Sequence, residues 1–282
     1  MQVTVLIENS ANPARPDLRA EHGLSLHVVW SDRALLFDTG SSGAFFDNAQ
    51  ALGVDLCAIE CVVLSHHHYD HGGGLKRFLG ACPGPAVYLA PGGLASRWFR
   101  ALGLVKREIG LDPSLFRDHG DRFREVGEYE EVFPGVYLLG SISRNYPAPR
   151  GNRFLYEARE GRLHHDPFEH ERILVVRDGD GLVVFTGCSH NGIRNMVDQV
   201  VKRFPGEPIR AVFGGFHLVG LPIVNTMAES RREVEALGEA LLQYPVARYI
   251  TGHCTGPKAF RVLKEVMGDR LEAMATGLRV EV

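Results

Sequence analysis

The chain has 282 residues, of which 45% are hydrophobic, 23% charged and 9% aromatic. That is enough apolar material to build a sizeable core and too much for a disordered chain. With 31 basic against 34 acidic residues the formal charge is -3, which argues against the broad positive field of a typical nucleic-acid binder. No run approaches the roughly 18 continuous apolar residues of a membrane span, so neither nucleic acid nor membrane is expected as a partner.

In chain order, the opening segment MQVTVLIENS reads as a strand. It lacks the basic start, apolar stretch and small-residue cleavage site of a leader. Further runs rich in β-branched residues predict strands at 24–30, 34–37, 62–64, 87–89, 136–139, 173–176, 182–185, 209–213, 248–250 and 278–282. Helical spacing appears at 44–52, 193–204, 226–244 and 257–267. Within 226–244, Thr226 is the expected N-cap, and Val234, Leu237, Leu241 and Leu242 share one face. Pro257 suits the first turn of the last helix. Strands followed by alternating strands and helices predict an α/β (α+β) fold with two mixed sheets covered by helices. The stretch 91–170 is the least regular and reads as a lid or insertion within a single domain spanning 1–282.

Five cysteines, at 57, 61, 82, 188 and 254, are odd in number and form no CxxC pair. They predict no disulfide framework, and hence a reducing, cytoplasmic setting. Cys57 and Cys61 are expected as small core residues.

Histidine is the unusual component: 13 in all, four of them between positions 66 and 71. The segment Ser65-His66-His67-His68-Tyr69-Asp70-His71-Gly72-Gly73 follows the apolar run 61–64 directly. A buried strand ending at Leu64 delivers this loop to a sheet edge, where side chains can converge. His66 and His68, two apart, point the same way in an extended loop, and Asp70 and His71 follow a turn. Imidazole and carboxylate are ligands for divalent zinc, iron or manganese. A stretch offering two donors to each of two cations predicts a dinuclear centre, whose metals about 3.5–4 Å apart can clamp both oxygens of a displacement. The fixed pattern H-x-H-x-D-H should arise by chance on the order of once per thousand such chains.

His66-x-His68-x-Asp70-His71 after a hydrophobic strand, with Phe37-Asp38-Thr39-Gly40 upstream, resembles the metallo-β-lactamase superfamily. The resemblance spans nearly the whole chain and implies an αββα sandwich with two divalent metal ions, zinc foremost and iron or manganese as alternatives. It implies that His66 and His68 serve the first metal, that Asp70 and His71 serve the second, and that Asp38 orients the ligand loop. Gly187-Cys188-Ser189-His190 stands where many members carry Gly-Asp. His190 is preferred as the third ligand of the first metal, with Cys188 as the alternate. Thr251-Gly252-His253-Cys254 matches the final histidine of the pattern, so His253 completes the second metal. His217, in Gly214-Gly215-Phe216-His217-Leu218, is assigned to the leaving-group proton, against a structural role beside a glycine bend.

Together SHHHYDHGGG, GCSH, GGFHL and HCTG resemble the branch named for the dihydropterin-ribofuranosylaminobenzene-phosphate synthases, which are dihydropteroate-synthase-like. That implies a hydrolase or transferase acting on a small phosphorylated or ester-like, pterin-type substrate. Asp70 and His217 would be its catalytic residues. Arg144 is the one arginine of the irregular region assigned to phosphate. Two other readings stand beside it: an iron-dependent redox enzyme on the same scaffold, and a non-catalytic nucleotide- or pterin-binding protein. A homodimer closing 91–170 over the site is a further expectation.

Overall fold

The computed structural model describes residues 1–101, 105–220 and 226–282. Its contacts divide the chain into two compact units. The first comprises Met1–Gly127, Phe154–Arg172 and Ala275–Val282, and the second Glu128–Arg153 and Ile173–Met274.

The first unit is built on a seven-stranded mixed sheet. Its strands run in the order Arg279–Glu281, Gln2–Ile7, Ser25–Trp30, Arg33–Phe37, Cys61–Val63, Ala86–Leu89 and Phe123–Glu125. Neighbours are antiparallel as far as Arg33–Phe37, and parallel from there to Phe123–Glu125. Parallel neighbours need long crossovers, which the helices Ala44–Ala51 and Leu75–Ala81 supply. Leu36, Val62 and Val87 stand side by side in register across the parallel strands. They belong to one buried cluster with Phe45, Ala49, Leu75, Phe78 and Leu79, so the helical spacing of three and four meets the twofold period of the strands.

A second sheet in this unit departs from the sequence expectation. Four antiparallel strands, Arg162–His165, Leu155–Arg159, Arg97–Ala101 and Val105–Glu108, arise within the stretch that reads as irregular. Their side chains are largely charged or aromatic, and all four residues of Val105–Glu108 are exposed. A strand that buries neither face shows no apolar alternation, which is the signal sequence reading relies on. The stretch 91–170 is accordingly shared between the two units.

The first unit also contains a disulfide between Cys57 and Cys82, which corrects both the expectation of cysteines without disulfides and the reading of Cys57 as a core residue. Cys57 is exposed on a turn whose backbone N–H donates to Asp55 Oδ1. Its partner lies just past the helix Leu75–Ala81, a separation of 25 that matches no sequence motif. Cys61 is buried on its strand, as expected.

The second unit carries the other mixed sheet, in the order Leu271–Ala273, Val246–Thr251, Ile209–Phe213, Gly181–Phe185, Ile173–Asp178, Val136–Leu139 and Tyr129–Phe133. Its first four strands are parallel and the rest antiparallel. The helices Ile193–Arg203, Arg231–Leu241 and Pro257–Met267 bury Met196, Val200, Val234, Leu241 and Leu263 in a cluster with Val184, Val212 and Tyr249. The middle helix starts later than its periodicity suggests. Ser230, not Thr226, caps it, and Glu233 completes a capping box. That reciprocal pair satisfies two backbone donors, whereas Thr226 lies in a loop where its carbonyl accepts the Gly220 N–H. Among the described residues no helix is long and apolar enough to cross a membrane.

Candidate functional site

In the first unit, two loops leave the C-terminal ends of adjacent parallel strands, the position where α/β sheets gather functional side chains. One begins at Asp38, directly after Arg33–Phe37, and the other at Ser65, after Cys61–Val63. Asp38 is fully buried and adopts a left-handed backbone conformation with φ of 60°, uncommon for a residue with a side chain. Its Oδ1 accepts the Ser65 N–H at 2.8 Å, and its Oδ2 accepts the Ser65 hydroxyl at 2.7 Å. Oδ2 also lies 2.6 Å from His71 Nδ1. The carboxylate thus ties the upstream loop to both ends of the histidine segment.

The histidines are oriented through these contacts. Ser65 Oγ lies 2.8 Å from His66 Nδ1, and His66 Nε2 lies 3.0 Å from His68 Nδ1. The ring centroids of His66 and His71 are 4.2 Å apart. The helical turn Tyr69–Gly72 follows, with the Tyr69 N–H donating to the Ile109 carbonyl at 2.8 Å. Asp70 is buried, and its Oδ2 lies 3.2 Å from His22 Nε2 and 3.9 Å from His71 Nε2. Burial pulls the His68 imidazole down to about 3, so it is neutral, the form that ligates metal. Glycine is required at position 73, where a Cβ would come within 2.3 Å of the Ser41 carbonyl oxygen. The bare backbone lets the two loops touch.

Behind the ligand loop lies a buried polar group that sequence reading passed over. His170 accepts the His67 N–H at Nδ1 (3.1 Å) and pairs through Nε2 with Asp166 at 3.1 Å. Its ring stacks on His67, the centroids 5.0 Å apart. Arg97 completes the group, with Nε 3.6 Å from Asp166. Burial opposes ionisation of Asp166, but the hydrogen bond and charge of His170 hold its carboxyl well below the usual carboxylate range. Arg97 is only 2% exposed, so this arginine of the irregular region serves the interior.

In the second unit, three adjacent parallel strands each end in a loop that carries a candidate residue. Gly181–Phe185 leads to Cys188 and His190, Ile209–Phe213 to His217, and Val246–Thr251 to His253 and Cys254. Ser189, His217 and His253 have φ of 59°, 48° and 48°, and such local strain clusters at functional sites. The donor atoms of Cys188, His190 and His217 lie within 4.8 Å of one another, as do those of Cys188, His253 and Cys254. Asn152 fixes His190 from two sides: its Nδ2 donates to the His190 carbonyl at 2.8 Å, and its Oδ1 lies 3.0 Å from His190 Nδ1. Burial alone would raise the Cys254 thiol, yet the Cys188 thiol and the neighbouring His217 and His253 imidazoles bring it well below its usual value.

The candidates that sequence reading named therefore fall into local groups. Asp38, His66, His68, Asp70 and His71 are together in the first unit, and Cys188, His190, His217 and His253 in the second. Arg144 is exposed in the loop after Val136–Leu139. Residues that sequence reading missed are His22, Asn152, Asp166, His170 and Cys254. Cys254 alone carried a local signal, its place beside His253.

A model of the metallo-beta-lactamase superfamily matches residues 25–253. The chain is 28% identical over 273 residues to the 7,8-dihydropterin-6-methyl-4-(beta-D-ribofuranosyl)-aminobenzene-5'-phosphate synthase of Methanocaldococcus jannaschii, covering 92% of this chain and 89% of the relative. Among solved structures, it resembles Tm1679, described as a metal-dependent hydrolase of the beta-lactamase superfamily. The TM-score is 0.83 at 32% identity, covering 100% of this chain and 99% of that one. Zn(2+)-bound PqqB from Methylobacterium extorquens shares the fold at a TM-score of 0.59 and 14% identity, covering both chains fully.

Proposed function

The chain belongs to the metallo-β-lactamase superfamily, and on that premise we propose that it is a metal-dependent hydrolase or transferase acting on a small phosphorylated or ester-like substrate of pterin type. The observation that carries the reading is Asp38. A fully buried carboxylate that binds His71 Nδ1 and both polar groups of Ser65 has the role of the outer partner that orients a metal-ligating histidine. The kind of reaction and substrate follows the relatives, one described as a metal-dependent hydrolase and one as a pterin-related synthase.

The donors fit a pair of divalent cations. His66, His71 and His190 each have Nδ1 within hydrogen-bonding distance of Ser65, Asp38 and Asn152 respectively, an arrangement that turns Nε2 toward a ligand. His66, His68, Asp70 and His71 of the first unit are the proposed ligands there, and His190, with Cys188 as its alternate, and His253 are those of the second. Nitrogen, oxygen and sulfur donors of this kind suit zinc. Divalent ions there supply Lewis-acid polarisation of a phosphoryl or carbonyl oxygen.

The chain's own residues do the rest. Asp38 and Asn152 fix ring orientation, and the His170–Asp166 pair holds the backbone at His67 and so the spacing between His66 and His68. His217 moves the leaving-group proton at a ring nitrogen. Arg144 contacts the substrate phosphate, and a homodimer is part of the proposal.

The test is metal content of protein purified without added metal, with turnover on a panel of phosphoesters, esters and pterin derivatives. His68→Ala and Asp70→Ala are expected to abolish turnover while retaining the native circular dichroism spectrum. Full activity in either variant overturns the assignment. Light scattering decides the dimer.

A further inference from the structure

Neither the family pattern nor the sequence motif gives Cys254 a task, yet it is held in place with care. It sits in the one-turn helix His253–Thr255, next to a histidine whose backbone is left-handed. Its sulfur lies 3.4 Å from the Cys188 carbonyl oxygen. At Gly215, a Cβ would come within 2.3 Å of that sulfur, so the neighbouring loop gives up a side chain to make room for it. The donor atoms of Cys188, His253 and Cys254 stand within 4.8 Å of one another, and all three residues are buried. A lone thiol in a core can be a small hydrophobe. Two thiols and an imidazole converging from two strand ends form a donor set.

We infer that Cys254 is itself a metal ligand, and that Cys188, His253 and Cys254 bind one divalent cation through two thiolates and one imidazole. The inference deepens the metal-dependent reading above and rests on it. The thiolate is the ligating form, so whatever proton a thiol still holds leaves to solvent on binding. Two sulfurs make this a soft site, so it selects zinc or cobalt over magnesium, calcium or manganese, which prefer oxygen. One sulfur ligand alone would sit among oxygen and nitrogen donors, whereas a pair defines a different metal preference.

The experiment uses the full chain loaded with cobalt(II) as the only metal, read by absorption spectroscopy. Two thiolate ligands give a near-ultraviolet sulfur-to-cobalt charge-transfer band. Cys254→Ser and Cys188→Ser should each lose about half of its intensity, and the double variant all of it, while His68→Ala keeps the band. Because a serine variant that misfolds also loses the band, X-ray absorption on the unmutated zinc-loaded protein supplies a second reading. Multiplied by the zinc content per chain, the sulfur shell at about 2.3 Å is expected to give two sulfurs per chain.

An unchanged band in Cys254→Ser, or a zinc shell with one sulfur per chain or none, overturns the inference and leaves the metal-dependent reading standing. So does a Cys188–Cys254 disulfide in the active, metal-loaded protein. Failure of the unmutated chain to bind cobalt or zinc at all overturns both.

Discussion

Asp38 Oδ2 lies 2.6 Å from His71 Nδ1, with both side chains inaccessible to solvent. The same carboxylate accepts the Ser65 N–H and hydroxyl, so one residue sets the orientation of His71 and, through Ser65, of His66. Asp38→Asn retains the size but replaces one acceptor oxygen with a donor. Metal affinity is expected to fall by about 10–100-fold, the usual cost of losing such an outer partner. Competition against a chromogenic chelator measures it, and an unchanged affinity would mean that His71 is oriented by something else.

A second prediction concerns acid stability. His27 lies on the strand Ser25–Trp30, opposite Thr4 and Leu36 in the sheet, and burial, with a smaller push from Arg279, lowers its imidazole to about 4. The unfolded chain, with an ordinary value of about 6.5, takes up this proton first. Stability is therefore complete above about pH 6.5 and declines as the pH drops toward 4, with no further loss from this group below that. The difference amounts to about 3 kcal/mol. Urea unfolding of the unmutated chain and of His27→Val at pH 7.5 and 4.5 tests it. The variant should lose less stability between the two values, and parallel losses would refute the assignment.

The Cys57–Cys82 link closes a loop of separation 25. Constraining an unfolded loop of that length is worth about 3 kcal/mol. The double variant Cys57→Ser/Cys82→Ser should lose roughly that amount in chemical denaturation, as should the unmutated protein under reductant. Equal midpoints with and without reductant would show that the bond contributes nothing.

Ser230 accepts the Glu233 N–H, while the Glu233 carboxylate accepts from the Ser230 backbone. Ser230→Ala removes the cap of the helix Arg231–Leu241 and should cost about 1 kcal/mol. Thr226→Ala should cost far less. A thermal melt of the two variants side by side distinguishes the cap predicted by periodicity from the one observed.

Much of the candidate site is legible in the sequence because its donors come in short runs just after β-branched strands. His66, His68, Asp70 and His71 lie within six residues, and the strand before them tells where they emerge. Asp38 is legible for the same reason. Asn152, Asp166 and His170 are not, since each supports a histidine through a tertiary contact from a segment that has no pattern of its own. The same physics separates the two kinds of strand. Most strands of the seven-stranded sheets bury apolar rows such as Leu36, Val62 and Val87 and are revealed by their composition, whereas the more exposed Phe123–Glu125 and Tyr129–Phe133 escape it. Those of the four-stranded sheet bury few apolar side chains, Leu155 with Phe99 packed beside it among them, and rest otherwise on backbone pairing and polar contacts, with Lys106 over the Trp98 ring and Tyr156 stacked on His165. Propensity and period carry little information about such strands.

That small sheet ends on both sides in charge: Val105–Glu108 reads VKRE on one margin and Arg162–His165 reads RLHH on the other. A margin strand offers unpaired amides and carbonyls to any passing chain, and lysine or arginine along it makes a second copy an unwelcome neighbour. The residues that hid these strands from sequence reading thus disfavour edge-to-edge strand pairing between copies, and replacing Lys106 and Arg107 with valine would turn this margin into a seed for aggregation.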